Sequence, residues 1–506
     1  MLEEKRRILL IYPPYMRLYN DTLSTDAYPL SLGSLAEVII RETSWDVMVY
    51  NADFVPNARQ FPLTYYLGEG FRNYTKNMTD LSHPAWKDVQ STIKDFKPTI
   101  VGIYCCSALL GCTRMIARLA KEHDPATTVI VGGPHPSAVG TEMLDDPNID
   151  ISVKGEGERT MVDILQAIED GKPFIGIKGI MYRDDQKVVD TGSRECLDDL
   201  DSFGSPYEHV SRVLKDYEKF PKSAFQYVMT ARGCNWNCLF CGSRYVFGRK
   251  INHRSVEKVT EELKFLVNMG IRQISFVDDT FTSDKEYTRL LCGSIIRNLR
   301  GLRWGCLTRA DAINDETLAL MKKAGCREIA LGIESGSNEL LLRMNKRTTL
   351  ETALHAVRLI RKNGIRLVAF FMIGFPGETE KTISDTFKVM KKIDGRIILN
   401  VFTPFPGTEG FKMCGQLGLI KNDYDPALFM EQGPENYFCM DIEREKFREL
   451  EYEIADYVDT HNLKYDVDQI FSFTNLRQIY HYGFRETLRR LKVFLRRLIR
   501  YPARYL

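Results

Sequence analysis

The chain has no run of about 18 uninterrupted apolar residues, so it offers no spanning helix. Its start, "MLEEKRRILLIYPPYMR", lacks a small-residue cleavage site, and its short apolar run ends at Pro13-Pro14. A first strand is expected there, in a protein kept in the cytoplasm. An excess of charge is missing too: 69 Lys and Arg oppose 67 Asp and Glu, a formal +2. A polyanionic partner would have to be met by local clusters. Twelve cysteines without a secretion signal argue against a disulfide framework and toward reduced thiols, metal ligands or catalysis. Outside one tight group the cysteines are scattered, among them Cys105, Cys106, Cys112, Cys292, Cys306, Cys326 and Cys439, and most of them are expected as small buried hydrophobes.

What is present is 506 residues, 44% hydrophobic and 27% charged, enough for two or three domains. From residue 6 to about 170 strand-like runs ("RRILLIYPP", "WDVMVYNAD", "TIVGIYCCSA", "TTVIVGGPHPSA", "IDISVKGEGE") alternate with helical spacing ("LSLGSLAEVIIRE", "CTRMIARLAKEH"). This is the pattern of βαβ units, so the α/β fold opens with a doubly wound, Rossmann-like domain over residues 1–196. Residues 54–97 read as an aromatic, polar insertion, and residues 177–195 as a hairpin turning at Asp184-Asp185. After a linker, 197–222, six further units run from "AFQYVMT" through "RQISFVDD", "LRWGCLTRAD", "REIALGIES" and "IRLVAFFMIG" to "RIILNVFTP". They predict a partial (βα)6, TIM-like barrel over 223–420, with a mainly helical region over 421–506. The chain ends in a basic amphipathic pattern, with Phe484, Leu488, Leu491, Leu495 and Leu498 on one face and arginines around them.

The tight group lies in "ARGCNWNCLFCGSR". Cys234, Cys238 and Cys241 have the spacing C-x3-C-x2-C and no nearby fourth ligand. Zinc normally takes four closed ligands, commonly as two pairs, and no partner pair stands at a suitable distance. A four-iron cluster held by three thiolates leaves one iron open to a small molecule.

Placed after the first strand of six βα units, "GCNWNCLFCGS" resembles the radical S-adenosylmethionine superfamily, over about 224–410. The first domain, with "GGPHPS" and "KGEGE" at strand ends, resembles the cobalamin-binding domain of its oxidative-cyclase and carbon-methylase branch. The resemblance implies a [4Fe-4S] cluster on the three cysteines, whose open iron chelates S-adenosylmethionine and cleaves it to a 5′-deoxyadenosyl radical. It implies roles for Phe240 near the adenine, Asp278 and Asp279 toward the methionyl amine or substrate, Arg309 on the methionyl carboxylate and Glu334 with Ser335 in "GIES" at ribose or amine. "MIGFPGET" (Gly374) and "FTPFPGT" (Thr403) would line the adenine. An internal salt bridge competes for Arg309 and Glu334, and a helix cap for Asp278 and Asp279.

The cobalt-ligating pattern D-x-H-x-x-G is absent, and His135 lies in "GGPHPSAVG" instead. The branch commonly holds the corrin without a protein histidine, by strand-end contacts, here expected from Tyr12, Ser107, Gly132, Gly133, His135, Gly155 and Glu156. Ordinary turn roles compete for the glycines. The implied activity is methylation of an unactivated carbon: one S-adenosylmethionine yields the radical, a methylated corrin donates the methyl group, and a second S-adenosylmethionine restores it. Oxidative cyclisation or carbon–carbon coupling is the alternative, and a corrin or iron–sulfur sensor the non-enzymatic one. Implied partners are a small-molecule or lipid-like substrate and an electron donor such as ferredoxin or flavodoxin. The basic tail allows peripheral membrane contact at the inner face or simple capping of the barrel, and nucleic acid is disfavoured.

Overall fold

The computed structural model of the protein describes residues 6–471 apart from 57, 60, 186, 422, 423, 431 and 432, with backbone alone for 467–471. The basic amphipathic pattern at 484–500 therefore lies outside the described residues.

Five short runs rich in Val and Ile form strands β1 (Arg7–Tyr12), β2 (Asp46–Asn51), β3 (Ile100–Tyr104), β4 (Thr128–Gly132) and β5 (Ile151–Val153). They pair in parallel in the order β2-β1-β3-β4-β5, as fits strands covered by helices on both faces. An antiparallel hairpin, β6 (Ile180–Asp184) and β7 (Lys187–Asp190), closes the sheet at the expected place. The strand order reverses between β1 and β3, which makes the crevice at their carboxyl ends the ligand-binding edge of such a sheet. Tyr12 and Tyr104 end these two strands, and their rings stack 5.4 Å apart.

The second sheet contains β8 (Tyr227–Val228), β11 (Gln273–Phe276), β12 (Arg303–Thr308), β13 (Cys326–Glu334), β14 (Arg366–Ile373) and β15 (Arg396–Val401). These are the six expected strands, all parallel, in the order β15-β14-β13-β12-β11-β8. Helices run between most of them, and Ser255, Asp284, Asn314, Thr349 and Thr379 cap those helices through their side chains. Between β8 and β11, a small antiparallel ladder of β9 (Ala231–Arg232) and β10 (Asn252–His253) brackets the cysteine loop.

Two stretches differ from the sequence reading. Residues 54–97 are not an insertion throughout, because the helix Pro84–Phe96 is the crossover that carries β2 to β3. Its Trp86, Val89 and Ile93 sit fully inside the core with Leu9 and Ile103. The shorter helix Glu69–Asn77 adds Phe71 and Tyr74 to that core, and the Tyr74 hydroxyl donates to the carbonyls of Ala108 and Ala427. Residues 197–222 are not a free linker either. Tyr207, Val210, Val213 and Leu214 are buried, Leu214 bridges Val49 at the sheet edge, and the Lys215 amide donates to Val49 at 2.9 Å. This segment is built of single turns, so it shows no period that a sequence scan could detect.

The C-terminal helix Arg444–Phe471 docks on β15 and on the helix Leu63–Tyr66. Asn462 exchanges hydrogen bonds with the Ile397 backbone, and Asp459 accepts from the Leu63 amide at 2.8 Å. Trp86→Ala should lower the stability of the full chain by about 3–5 kcal/mol in urea unfolding, as for a large aromatic removed from a closed core. A surface insertion would give a change near zero.

Candidate functional site

The cysteine loop is anchored on both sides before any cofactor is considered. On the entry side, buried Asp278 at the end of β11 accepts from the amides of Thr230 and Ala231 at 2.6 and 3.0 Å and from the Thr230 hydroxyl at 2.5 Å. Burial pushes this carboxyl up to about 6 even though Thr230 and the backbone bonds favour its ionised form. On the exit side, Asp279 accepts from the Ser243 hydroxyl. Gly233, at φ 96, passes so close to the Lys250 backbone that no side chain fits there.

Within the loop, Cys234 and Cys238 are partly buried and Cys241 is exposed. Burial pushes the Cys234 thiol up, so thiolates here need a positive partner. Arg309 supplies one, with Nη1 3.6 Å from Cys238 Sγ and its guanidinium over the Trp236 ring at 4.7 Å. Among the described residues no three His, Cys, Asp or Glu side chains converge on a point that could hold a single metal ion. Three thiols of one loop, spread apart and without a fourth ligand, suit an iron–sulfur group better than zinc. Seven of the other nine cysteines are buried, as expected.

Arg309 and Glu334 do form internal salt bridges, but not with each other. Arg309 holds Asp311 through Nε and Nη2, at 2.9 Å each, and gives a further bond to the Lys346 carbonyl at 2.6 Å. Glu334 takes the Lys346 ammonium at 2.6 Å. Glu334 sits at φ 66 on a register shift between β13 and β14, a bulge that re-aims its side chain. Lys346 Nζ lies 5.8 Å from the centre of the Phe240 ring. Cys238, Arg309, Lys346, Glu334 and Phe240 thus form one constellation. Lys346 escapes a strand-end search because it follows a short helix, Asn338–Arg343.

Three other expected residues have polar groups that bond within the protein. The Ser335 hydroxyl meets Thr386 and accepts from the Ser337 amide. The Gly374 amide donates to Glu378, whose carboxyl burial pushes up to about 7. Thr403 accepts from Asn436 at 2.8 Å.

At the carboxyl edge of the first sheet, the Ser107 hydroxyl and His135 Nδ1 meet at 3.0 Å. Burial, with the Arg114 charge, pushes His135 down to about 4, so it is a neutral imidazole. Gly133, at φ 121, presses on the Cys105 carbonyl and is required by packing. Gly132 and Gly155 have room beside them.

Glu156, expected beside a corrin, faces the other domain instead. It accepts from Arg232 Nη1 at 2.7 Å and from the Leu197 amide at 2.6 Å, while Glu158 takes Arg232 Nη2 at 2.5 Å. All three side chains are buried, and Arg232 also lies over the Phe247 ring. Burial disfavours the Glu158 carboxylate, but the guanidinium outweighs this and holds the group below its usual range. Arg232 is two residues from Cys234, so the fork ties the first domain to the cysteine loop. The signal for it was present, a basic residue against the motif and an acid pair in "KGEGE", but nothing in the order of the chain joined them.

Residues 228–390 match the Radical SAM superfamily and residues 64–165 the B12 binding domain. An uncharacterized methyltransferase of Pyrococcus horikoshii is 31% identical over 406 residues, 80% of this chain and 82% of the relative. The anaerobic magnesium-protoporphyrin IX monomethyl ester cyclase of Rubrivivax gelatinosus is 29% identical over 65% of this chain and 60% of its own. Among solved structures, the radical S-adenosylmethionine methyltransferase TsrM from Kitasatospora setae, with cobalamin and a [4Fe-4S] cluster bound, has the same fold. Its TM-score is 0.63 and its identity 20%, over 81% of this chain and 75% of that one.

Arg232→Met leaves two buried carboxyls without their charge partner, a loss of about 3–5 kcal/mol at neutral pH. The Glu158 contribution is present above its ordinary value of 4.5 and is lost as pH falls through its lower folded value. The difference in urea midpoint between wild type and variant should therefore narrow in acid; a difference independent of pH would refute the charged fork.

Proposed function

We propose, for a chain that belongs to the radical S-adenosylmethionine superfamily with its B12-binding domain, that it methylates an unactivated carbon of a small or lipid-like molecule. The observation that carries this reading is the meeting of two carboxyl edges. Gly155 after β5 faces the Val246 carbonyl of the cysteine segment at 4.0 Å, measured from where its Cβ would be. Gly407 after β15 likewise packs on Ala138 after β4, at 2.8 Å. These contacts set the ligand-binding edges of both sheets side by side, the placement that a reaction using two cofactors on one substrate requires.

When bound, the cluster supplies the electron that splits S-adenosylmethionine into methionine and a 5′-deoxyadenosyl radical, and the corrin supplies the methyl group. Cys234, Cys238 and Cys241 would hold the cluster through three irons. Arg309 lies 3.6 Å from Cys238 Sγ, and with its other nitrogens committed to Asp311 and Lys346 it is fixed in place. Glu334 gives one oxygen to Lys346 and keeps the other for a hydroxyl or amine of the cosubstrate, while Phe240 offers a ring face to the adenine. At the opposite edge the stacked Tyr12 and Tyr104 and the room at Gly132 and Gly155 suit a broad, flat macrocycle. The chain has no D-x-H-x-x-G pattern, which accords with a corrin held without a protein imidazole on cobalt.

Among the described residues no helix is long and apolar enough to cross a membrane. We place the protein in the cytoplasm, served by an electron donor such as ferredoxin or flavodoxin, with a peripheral membrane contact through the basic pattern at 484–500 where the substrate is a lipid. The similarity to the Rubrivivax cyclase supports a second reading, oxidative ring closure without methyl transfer.

The products separate the two. Anaerobic protein reconstituted with iron, sulfide and hydroxocobalamin, given dithionite and S-adenosylmethionine, should form 5′-deoxyadenosine, and Cys238→Ala should abolish it together with bound iron. With substrate, S-adenosylhomocysteine should accumulate alongside. If 5′-deoxyadenosine appears without S-adenosylhomocysteine and without retained corrin, methylation fails and ring closure takes its place.

A further inference from the structure

The outer side of the cysteine loop carries positive charge that the proposed chemistry does not use. Asn237, between Cys234 and Cys238, accepts through Oδ1 from both Arg244 and Arg249, the latter at 3.2 Å. Its carbonyl accepts from Asn345 Nδ2 at 2.7 Å, and Asn345 Oδ1 accepts from Arg347 at 3.3 Å. Three guanidiniums therefore converge on two asparagines next to Cys238. Arg249 and Arg347 are exposed, and among the described residues neither has an ion-pair partner. Five residues before Arg347, Leu342 is 80% exposed, the highest value among the large hydrophobic residues that are described. Its helix, Asn338–Arg343, runs into Met344, whose carbonyl accepts from the Leu239 amide of the loop at 3.0 Å.

An exposed apolar side chain on the helix that leads to Asn345, with two unpaired cations bonded to Asn237 of the cysteine loop and to Asn345, has the make-up of a docking surface for an acidic protein: a small apolar centre and a charged rim that speeds encounter. We propose that Leu342, Arg347 and Arg249 form the surface that receives an acidic one-electron donor protein. The inference rests on the radical S-adenosylmethionine reading, which requires a single electron delivered to the cysteine loop. In that step the donor's reduced centre is oxidised by one electron, the cluster is reduced by one, and no bond forms or breaks. The hydrogen bonds through Asn345 and Asn237 make the surface and the loop one connected unit, so the donor would sit against the loop and clear of the space between the two sheet edges. The charge complementarity favours an acidic protein over any neutral partner.

The test uses the full chain with reconstituted cluster and an acidic flavodoxin as probe. Surface plasmon resonance should show binding whose association rate falls steeply with salt. Arg347→Glu combined with Leu342→Asp should weaken association by roughly tenfold or more, while Arg183→Glu, on the distant hairpin of the first domain, should leave it unchanged. With dithionite as reductant, the double variant should form 5′-deoxyadenosine like wild type; with flavodoxin and its reductase it should not. Absence of flavodoxin binding by wild type, or equal binding by the double variant, overturns the proposal. So does a double variant that loses binding to anionic phospholipid vesicles but keeps flavodoxin, which would make the surface a membrane contact. Failure of the wild type to cleave S-adenosylmethionine even with dithionite would sink the enzymatic reading instead, a result distinct from the binding measurement.

Discussion

Everything at the site depends on one buried fork, Arg232 between Glu156 and Glu158. Removing three charges from water is expensive, and a buried pair of this kind is weak evidence for stability, since an apolar replacement of the same shape often does as well. What the fork supplies is direction. A guanidinium is a rigid plane with donors at fixed angles, so a residue two positions from Cys234 can meet both carboxylates in only one relative placement of the two sheets. The Leu197 amide on Glu156 and the Phe247 ring under the guanidinium remove the remaining freedom.

The same economy governs the loop itself. Its backbone donors are met by protein carboxylates, Asp278 on the way in, and its side chains by Asp279, Glu409 and the neighbouring amides. The loop is therefore held by the strand ends beneath it. The left-handed backbone at Glu334 is the counterpart on β13: strain stored where a carboxylate must point out of the regular strand. Preorganisation of this sort removes the ordering cost that a flexible loop would otherwise impose on cofactor binding.

Much of the architecture was legible in the order of residues. Both parallel sheets follow from apolar runs at strand length separated by helical spacing, and the cysteine spacing after the first barrel strand pointed to the chemistry. Three kinds of feature escaped. The crossover helix Pro84–Phe96 reads as part of an insertion because lysines and aspartates dilute its stripe, although Trp86, Val89 and Ile93 keep the period. Residues 197–222 have no period at all and reveal their role only through burial. Side-chain partnership was the third: Glu156, Asp278, Ser335 and Thr403 were placed by position at strand ends, while their actual bonds run to Arg232, Thr230, Thr386 and Asn436. Strand-end position identifies a neighbourhood; which way a carboxylate turns is decided by partners far away in sequence, as the absence of an Arg309–Glu334 pair and the presence of Lys346 both illustrate.

The first apolar core runs without a break from Ile8 and Val49 in the first sheet, through Tyr207, Phe220 and Phe225, to Phe276 and Trp304 in the second. Two domains that share one core are inherited as one. Neither half can be traded for the corresponding half of a relative unless the aromatic bridge, the "KGEGE" turn and the arginine before the cysteine loop travel together. Recombination within such a lineage is thus confined to the loops around the shared space, where new substrates can be reached without reopening the interior.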